Sequence, residues 1–330
     1  MKKTSLYAAL LACSLTLAGA AFQTANAAIV MRAGHDSPET VPVAKGLAYW
    51  ADLVNKRTNG EVQIQVFNNG TVGSASDYAV NCQLGTLDIG AVNQSVMTSF
   101  IPDIEAIDIP YLVTSYEQAD KLFAGDGPLT KYYTDEINNA GINLINLDVW
   151  EVGFREFSNS TRPINTADDI AGIRLRVMDS QVHQGFWKAL GADPVAMSWG
   201  EAYTALQQKA IDGVENAISV LDGNNINEVN DYLAMTDHNY SAIFIIMSAQ
   251  TWNKLTPEQQ KIVADSAKEA GVYQREEQRR QAEAAVNNLT SKGMTLTKPD
   301  KASIEAKVAD FLKEQKARYP EIIKIIDSAK

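Results

Sequence analysis

Cysteine is scarce in this sequence, which contains only Cys13 and Cys82 among its 330 residues. Cys13 falls within an N-terminal segment with the character of an export signal, so a processed chain would keep Cys82 alone. A single cysteine cannot form an intrachain disulfide. Stability must therefore come from a packed core, and a chain of this length with 45% hydrophobic residues can bury one.

Positive charge is also in short supply. Lys and Arg total 29 against 40 Asp and Glu, which gives a formal net charge of −11. Nucleic acids and anionic membranes are recognised mainly through clustered Lys and Arg, and the sequence has no run of basic residues. We therefore exclude nucleic acid as a partner and expect the partner to be a small molecule.

Long hydrophobic runs are confined to the N-terminus. Two lysines precede an apolar stretch that ends near Phe22, and Ala25-Asn26-Ala27 has the small-x-small pattern that signal peptidase cleaves. We assign residues 1–27 to a signal peptide and expect the mature chain to begin near Ala28 in the periplasm.

Lipid attachment and membrane insertion are the two alternatives to a freely exported chain. Leu11-Ala12-Cys13 loosely resembles a lipoprotein box, but it comes too early in the apolar stretch to leave a full hydrophobic region before it. After the signal, no apolar run reaches the roughly 18 residues that span a bilayer. We therefore expect no direct membrane insertion of the mature chain.

Motifs for catalysis and cofactor binding are missing too. His35, His183 and His238 do not fall at metal-ligand spacing, and no HExxH, CxxC or EF-hand pattern occurs in the sequence. Neither a GxSxG nucleophile elbow nor a complete dinucleotide fingerprint is found. Glu105 and Asp108 lie three residues apart, which in an acidic protein is typical of a solvated face. We predict no metal, no cofactor and no enzymatic activity.

Short β-like segments alternate with helical ones at the start of the mature chain. The pattern predicts strands at Val30–Ala33, Glu61–Phe67 and Leu87–Val92, separated by helices at Val43–Lys56 and Asp77–Leu84. This βαβαβ order is typical of an α/β protein with a mostly parallel sheet.

A second unit of the same kind follows between Ile142 and about Val220. Its predicted strands and helices lie at 143–148, 173–177, 181–190, 201–208 and 213–215. Two such units without a long linker predict two lobes that face each other.

The remainder of the chain is predicted to be mainly helical. After a buried strand at Ser241–Ser248, the stretch Thr256–Thr290 predicts one long amphipathic helix that could reach across both lobes, with Gly271 as a place to bend. Residues Lys301–Lys330 predict one or two surface helices.

The most informative motifs lie between Trp150 and Val177. They are, in order, Gly153-Phe154-Arg155, Ser158-Asn159, Arg162-Pro163, Asp169-Ile170-Ala171-Gly172 and Arg174-Leu175-Arg176. The segments LGADPVAMSWGEAYTALQQKAIDGVEN, at 190–216, and YLAMTDHNY, at 232–240, follow them. Together these motifs resemble the extracytoplasmic solute receptors of tripartite ATP-independent periplasmic (TRAP) transporters, the DctP-like family. The resemblance covers nearly the whole mature chain.

The resemblance implies a two-lobed periplasmic-binding-protein-like fold of type II, with a hinged interdomain cleft and a long helix that spans both lobes. We place lobe I at 28–151 plus about 241–280, and lobe II at 152–240 plus about 281–330.

The function implied is that of a periplasmic receptor that binds a small organic anion and delivers it to the small and large TRAP membrane subunits. The stretch around Gly153 looks closest to receptors for sugar acids, so a uronate or a related acid is the first expectation. A C4-dicarboxylate or another small carboxylate is the second. Two further alternatives stay open, namely a secreted α/β enzyme acting on a sugar acid and a receptor that serves a sensor protein.

Arg176 is the main candidate ligand residue. The resemblance implies that it forms a bidentate salt bridge with the ligand carboxylate, a task that suits the planar and permanently charged guanidinium. Arg174 and Arg176 leave the predicted strand on the same face, so spacing alone does not choose between them. The family pattern selects Arg176.

Further candidates come from the resemblance and from strand ends. The resemblance implies that Arg155 and Asn216 contact the ligand and that Trp199 lines the cavity. The alternatives are a surface ion pair for Arg155, a turn position for Asn216 and core packing for Trp199.

Three more polar residues follow predicted strands, where open α/β sheets present ligand groups: His35, Asn93 and Asp179. One departure from the family pattern leaves the outer ligand contacts open. The family commonly has Asp-Gly-Gln-Glu-Asn-Pro, whereas here Val214 replaces the Gln and Ala217 the Pro.

Overall fold

The computed structural model describes residues 27–329, so the predicted signal peptide lies outside the described residues except for Ala27. The strands in this range are β1 (Ile29–Gly34), β2 (Val62–Phe67), β3 (Ile89–Asn93), β4 (Leu144–Asn159), β5 (Arg174–Val177), β6 (Asp193–Ala196), β7 (Gly213–Ala217), β8 (Tyr232–Ser248) and β9 (Thr295–Thr297).

Helices cover much of the rest of the described chain. They are α1 (Pro42–Arg57), α2 (Ala75–Leu84), α3 (Gln94–Met97), α4 (Tyr116–Phe123), α5 (Pro128–Asn139), α6 (Gln181–Ala189), α7 (Trp199–Gln207), α8 (Ile218–Gly223), α9 (Ala249–Trp252), α10 (Pro257–Ser291), α11 (Lys301–Lys307), α12 (Ala309–Arg318) and α13 (Pro320–Asp327). Short 3-10 helices lie at Pro102–Asp108, Ala167–Ile170 and Ile226–Glu228.

All strands in the described range belong to one mixed sheet with the spatial order β2-β1-β3-β8-β4-β7-β5-β6, and β9 pairs with β8. Parallel strands β1–β3 form one end of the sheet, which we call the first lobe, and parallel strands β5–β7 form the second lobe. The long antiparallel strands β4 and β8 join the two ends. The α/β prediction is confirmed, whereas the residue boundaries of the lobes stay a prediction.

The first lobe follows the predicted βαβαβ order. Helix α1 turns Leu47, Trp50 and Val54 into the core, which explains their three- and four-residue spacing. Helix α2 starts with a capping box, in which Ser74 and Asp77 satisfy each other's backbone N–H groups. The end of β1 pairs with the start of β3, Ala33 with Ile89 and Gly34 with Gly90.

Helix α10 is 35 residues long and packs against both lobes. Near its start, the Trp50 indole N–H donates to the Val263 carbonyl at 3.0 Å. Near its end, Asn288 Nδ2 donates to Asp222 Oδ2 at 2.9 Å. The helix is continuous through Gly271. A Cβ there would lie 2.8 Å from the Trp150 indole nitrogen, so this glycine permits close packing of the helix on β4.

The C-terminal segment differs from the prediction of one or two surface helices. It forms three short helices, α11 to α13, and the last begins with Pro320. Ile322 and Ile326 are buried, because α13 packs against α5. No helix within residues 27–329 is both long and apolar enough to span a bilayer.

Candidate functional site

Strand ends from both lobes converge on a cavity of about 250 Å³. We call it the inner cavity. All seven residues proposed from the sequence line it: His35, Asn93, Arg155, Arg176, Asp179, Trp199 and Asn216. The structure therefore brings the candidates together, and their contact with a ligand stays a prediction.

Arg176, at the end of β5, presents a buried guanidinium to the inner cavity. Its Nε donates to the Met197 carbonyl at 2.9 Å, and its Cζ lies 5.4 Å from the centroid of the Trp199 ring. Its two terminal nitrogens donate no hydrogen bond to any other residue of 27–329. Burial lowers the pKa of Arg176 to about 10, so the group is charged at neutral pH. A buried charge without a partner is unfavourable, and an anion in the cavity would relieve it.

Arg155, in the middle of β4, is a cation of a different kind. Its guanidinium contacts both carboxylate oxygens of Glu215, with Nη2 2.9 Å from Oε1, and both side chains are buried. Burial by itself would raise the pKa of Glu215, but the Arg155 charge and a hydrogen bond from His238 hold it well below its usual range. The charge of Arg155 is thus balanced within the protein.

Asn216 is oriented by the same network. Its Oδ1 accepts hydrogen bonds from Arg155 Nη1 at 3.1 Å and from the Ala217 N–H at 2.9 Å. Both of these hydrogen bonds use the carbonyl oxygen, and the amide Nδ2 has no hydrogen-bond partner in the described part of the chain. An amide donor of this kind suits a carboxylate or hydroxyl oxygen.

The first-lobe candidates already form hydrogen bonds with neighbouring backbone groups. His35 is buried, which lowers its pKa and keeps it neutral, and its Nδ1 accepts from the Ser37 N–H at 3.4 Å. Asn93 caps α3, since its Oδ1 accepts from the Ser95 N–H at 3.0 Å. Asp179 of the second lobe is exposed, and Gln184 Nε2 donates to its Oδ1 at 3.5 Å.

Several cavity residues were not anticipated from the sequence. The polar ones are Asp36, Ser37, Ser74, Ser76, Ser95, Ser198 and Gln278. Ser74 and Ser198 are helix N-caps. Serine directly before a helical segment is a sequence signal for the start of a helix, so their position, though not their contact with the cavity, is predictable. Gln278 lies within α10, and no local pattern marks the turn of that long helix that meets the cavity.

The expectation of a solvated Asp108 is wrong. Asp108 is fully buried, and its Oδ1 accepts from Gln94 Nε2 at 2.8 Å and from Ser95 Oγ at 2.9 Å. The 3-10 helix that carries it packs against α3 and β8, which a spacing of two acids does not reveal. Its bond to Ser95 helps to hold one wall of the inner cavity. Among residues 27–329, no group of three or more His, Cys, Asp or Glu could hold a metal ion.

Comparison with known proteins gives one family model, described as bacterial extracellular solute-binding protein, family 7 (DctP), which matches residues 33–318. Among curated proteins, the 2,3-diketo-L-gulonate-binding periplasmic protein YiaO of Escherichia coli is 30% identical over 264 residues, which are 79% of this chain and 79% of that protein.

Solved structures give the same result for the fold. The sugar acid binding protein DctPAm of Advenella mimigardefordensis, in complex with galactonate, has a TM-score of 0.87 and 29% identity, and the match covers 92% of this chain and 98% of that one. A TRAP periplasmic solute-binding protein of Sulfurospirillum deleyianum with bound succinate has a TM-score of 0.86 and 27% identity, covering 92% and 100%. The predicted two-lobed fold is confirmed.

Proposed function

The chain belongs to family 7 of the bacterial extracellular solute-binding proteins, and from this membership we propose that its ligand is a sugar acid whose carboxylate binds Arg176. The resemblance identified from the motifs is thereby confirmed, and the chain is an extracytoplasmic solute receptor that works with TRAP permease subunits. The observation that carries the ligand proposal is the buried guanidinium of Arg176, whose Nε is held by the Met197 carbonyl and whose two terminal nitrogens have no hydrogen-bond partner among residues 27–329.

The charges around the inner cavity favour one carboxylate over two. Arg155 is neutralised by Glu215, so Arg176 is the one cation lining the cavity that has no carboxylate partner within residues 27–329. Asp36 and Asp179 also line the cavity, and each would repel a second carboxylate of the ligand. A dicarboxylate such as succinate would find no second unpaired cation among the described residues that line the cavity.

Hydroxyl groups of a sugar acid would find many partners in the same cavity. The aspartate carboxylates can accept hydrogen bonds from them, and serine hydroxyls can both donate and accept. Five serines line the cavity: Ser37, Ser74, Ser76, Ser95 and Ser198. The galactonate complex of the Advenella protein and the name of the Escherichia coli protein agree with this class of ligand. The succinate complex of the Sulfurospirillum protein supports the dicarboxylate alternative.

Calorimetric titration against a matched set of compounds tests the proposal. The set contains D-glucuronate, D-galacturonate and D-galactonate, with succinate as the dicarboxylate and D-galactose as the neutral control. We expect at least one sugar acid to bind and D-galactose to show no binding, because it has no carboxylate for Arg176. Tighter binding of succinate than of any sugar acid would refute the proposal in favour of the dicarboxylate alternative.

We further propose that the ligand is bound and released without chemical change. The test is to incubate the protein with the best ligand, remove the protein and compare the NMR spectrum of the ligand before and after. An unchanged spectrum is expected. A new product that depends on protein concentration would establish the enzyme alternative.

A further inference from the structure

A second cavity, of about 180 Å³, adjoins the inner cavity. We call it the outer cavity. Its residues come from both lobes, with Asp36 and Asn69 from the first and Trp199, Gly200, Tyr203, Asn224 and Ile226 from the second. Asp36 and Trp199 line both cavities, so these two side chains form the wall between them.

The Trp199 side of this wall is held from two directions. The Arg176 guanidinium lies over the indole ring at 5.4 Å, and the indole N–H donates to Asn224 Oδ1 at 3.4 Å. Trp199 is also the first residue of α7, directly after its capping Ser198. On the opposite side, Asp36 accepts from Ser37 Oγ at 3.1 Å. Both halves of the wall are therefore positioned by neighbouring groups.

We propose that Trp199 is a specificity-determining residue that limits the length of the ligand to one sugar unit. This inference rests on the proposed function. With the ligand carboxylate on Arg176, the indole ring beside that guanidinium closes the inner cavity toward the outer one. A second sugar ring that extends from the inner cavity into the outer one needs the space that Trp199 occupies.

The outer cavity has the chemistry to receive a second sugar ring once the wall is removed. Asn69 and Asn224 carry amide groups that donate to and accept from hydroxyls. The Tyr203 hydroxyl, which donates to Glu228 Oε2 at 2.6 Å, can still accept a hydrogen bond. Removal of the indole should therefore change which ligands bind, in addition to weakening the site.

The experiment compares a short and a long acid that each carry one carboxylate, D-gluconate and its 4-O-β-D-galactoside, lactobionate, so that the two differ in length and not in charge. Dissociation constants of both are measured by calorimetry for wild type, Trp199→Ala, Trp199→Leu and the control Tyr203→Ala, with folding checked by thermal melts. Tyr203 lines the outer cavity but not the inner one. The readout is the ratio of the two constants, because loss of the ring over Arg176 weakens both acids together.

We expect wild type and Tyr203→Ala to prefer the monosaccharide at least tenfold, and the Trp199 variants to shift the ratio at least tenfold toward the disaccharide. Wild type that binds both acids equally would overturn the inference, as would folded Trp199 variants with an unchanged ratio. In both cases the proposed function survives, since the monosaccharide binds. If wild type binds neither acid nor any other sugar acid, the proposed function fails and this inference fails with it.

Discussion

Arg174 and Arg176 leave the same face of β5 two residues apart, yet only Arg174 has a carboxylate partner within residues 27–329. Its Nη2 lies 2.7 Å from Asp212 Oδ1 and its Nε 2.9 Å from Asp212 Oδ2. Its side chain is 46% exposed, whereas Arg176 is buried at the inner cavity. A ligand in the inner cavity can therefore reach the guanidinium of Arg176, whereas that of Arg174 is already paired with Asp212.

Replacement of Arg176 should have the largest effect on binding. Arg176→Ala leaves a desolvated ligand carboxylate without its partner, a loss of about 2 to 5 kcal/mol, or roughly thirty- to several-thousand-fold in affinity. Arg176→Lys keeps the charge but loses the planar fork, so it should also weaken binding strongly. Calorimetric titration with the best sugar acid measures both.

Arg174→Ala is the matched control on the same strand, and it should change affinity much less because Arg174 is paired with Asp212. Circular dichroism establishes that each variant is folded. If Arg174→Ala abolished binding and Arg176→Ala did not, the assignment of the site residues would be out of register by two.

The buried pair of Arg155 and Glu215 should contribute to stability as well as to the site. Glu215→Gln leaves the Arg155 guanidinium as an uncompensated buried charge, which should lower the free energy of unfolding by about 3 to 5 kcal/mol. Urea denaturation measures it. The control is Asp52→Asn in the exposed pair with Lys56, which should change stability by less than about 1 kcal/mol. Equal effects of the two substitutions would contradict a special role for the buried pair.

Asp148 should make the stability of the protein depend on pH. It is buried, and burial raises its pKa to about 7, although Oδ2 accepts from the Trp150 indole N–H at 3.0 Å. In the unfolded chain an aspartate has a pKa of about 3.9. The pKa of Asp148 is higher in the folded protein than in the unfolded chain. Its contribution to the wild-type free energy of unfolding therefore decreases as the pH rises from about 4 to about 7.

The variant Asp148→Asn isolates that contribution, since an amide oxygen can still accept from the indole. At pH 8 the variant should be more stable than wild type by up to about 4 kcal/mol. This figure follows because the folded and unfolded pKa of Asp148 differ by about three units, and each unit corresponds to roughly 1.4 kcal/mol. The difference should disappear near pH 4. Urea melts from pH 4 to pH 8 test this, and a difference that is constant with pH would show that the charge of Asp148 is not its cause.

Periodic hydrophobic patterns predicted helices α1 and α10 and strand β2 closely, because one face of each of these elements packs on the core. They missed the second half of β4, where Glu151, Arg155 and Glu156 look like surface residues. These charges are buried in this strand because partners elsewhere in the chain neutralise or hydrogen-bond them, as Glu215 does for Arg155. Partners that are distant in sequence leave no local pattern.

The site was predictable to the extent that motifs mark it. Spaced motifs that resemble a family indicate Arg176 and Asn216, and the end of a predicted strand indicates His35. The serines of the cavity and Gln278 were not predicted. Serine is common in every loop, and which residue of a long helix faces a cavity depends on how two lobes pack.

The N-terminus of the exported protein should be Ala28. Small side chains at Ala25 and Ala27 direct cleavage after Ala27. Intact-mass measurement of protein recovered from the periplasm should give the mass of residues 28–330. A mass that retains Cys13 with a diacylglycerol adduct would instead establish a lipoprotein.

Ligand binding should close the two lobes around the inner cavity. His35 comes from the first lobe and Arg176 from the second, so a ligand that contacts both stabilises the arrangement in which they share one cavity. A ligand shifts such an equilibrium only by the difference in its affinity for the open and closed states. Strands β4 and β8 connect the lobes, and their pairing has register shifts near Gly153 and Arg155 where the strands can bend.

Small-angle X-ray scattering with and without saturating sugar acid measures the closure as a decrease in the radius of gyration. Arg176→Ala is the matched control, and the same ligand concentration should leave its scattering unchanged, because the variant lacks the anchor that holds the ligand in the second lobe. Identical curves for wild type with and without ligand, at a concentration where calorimetry shows saturation, would mean that the site is rigid and already formed. In that case the closed cavity exists before binding, and the ligand must enter it without hinge motion.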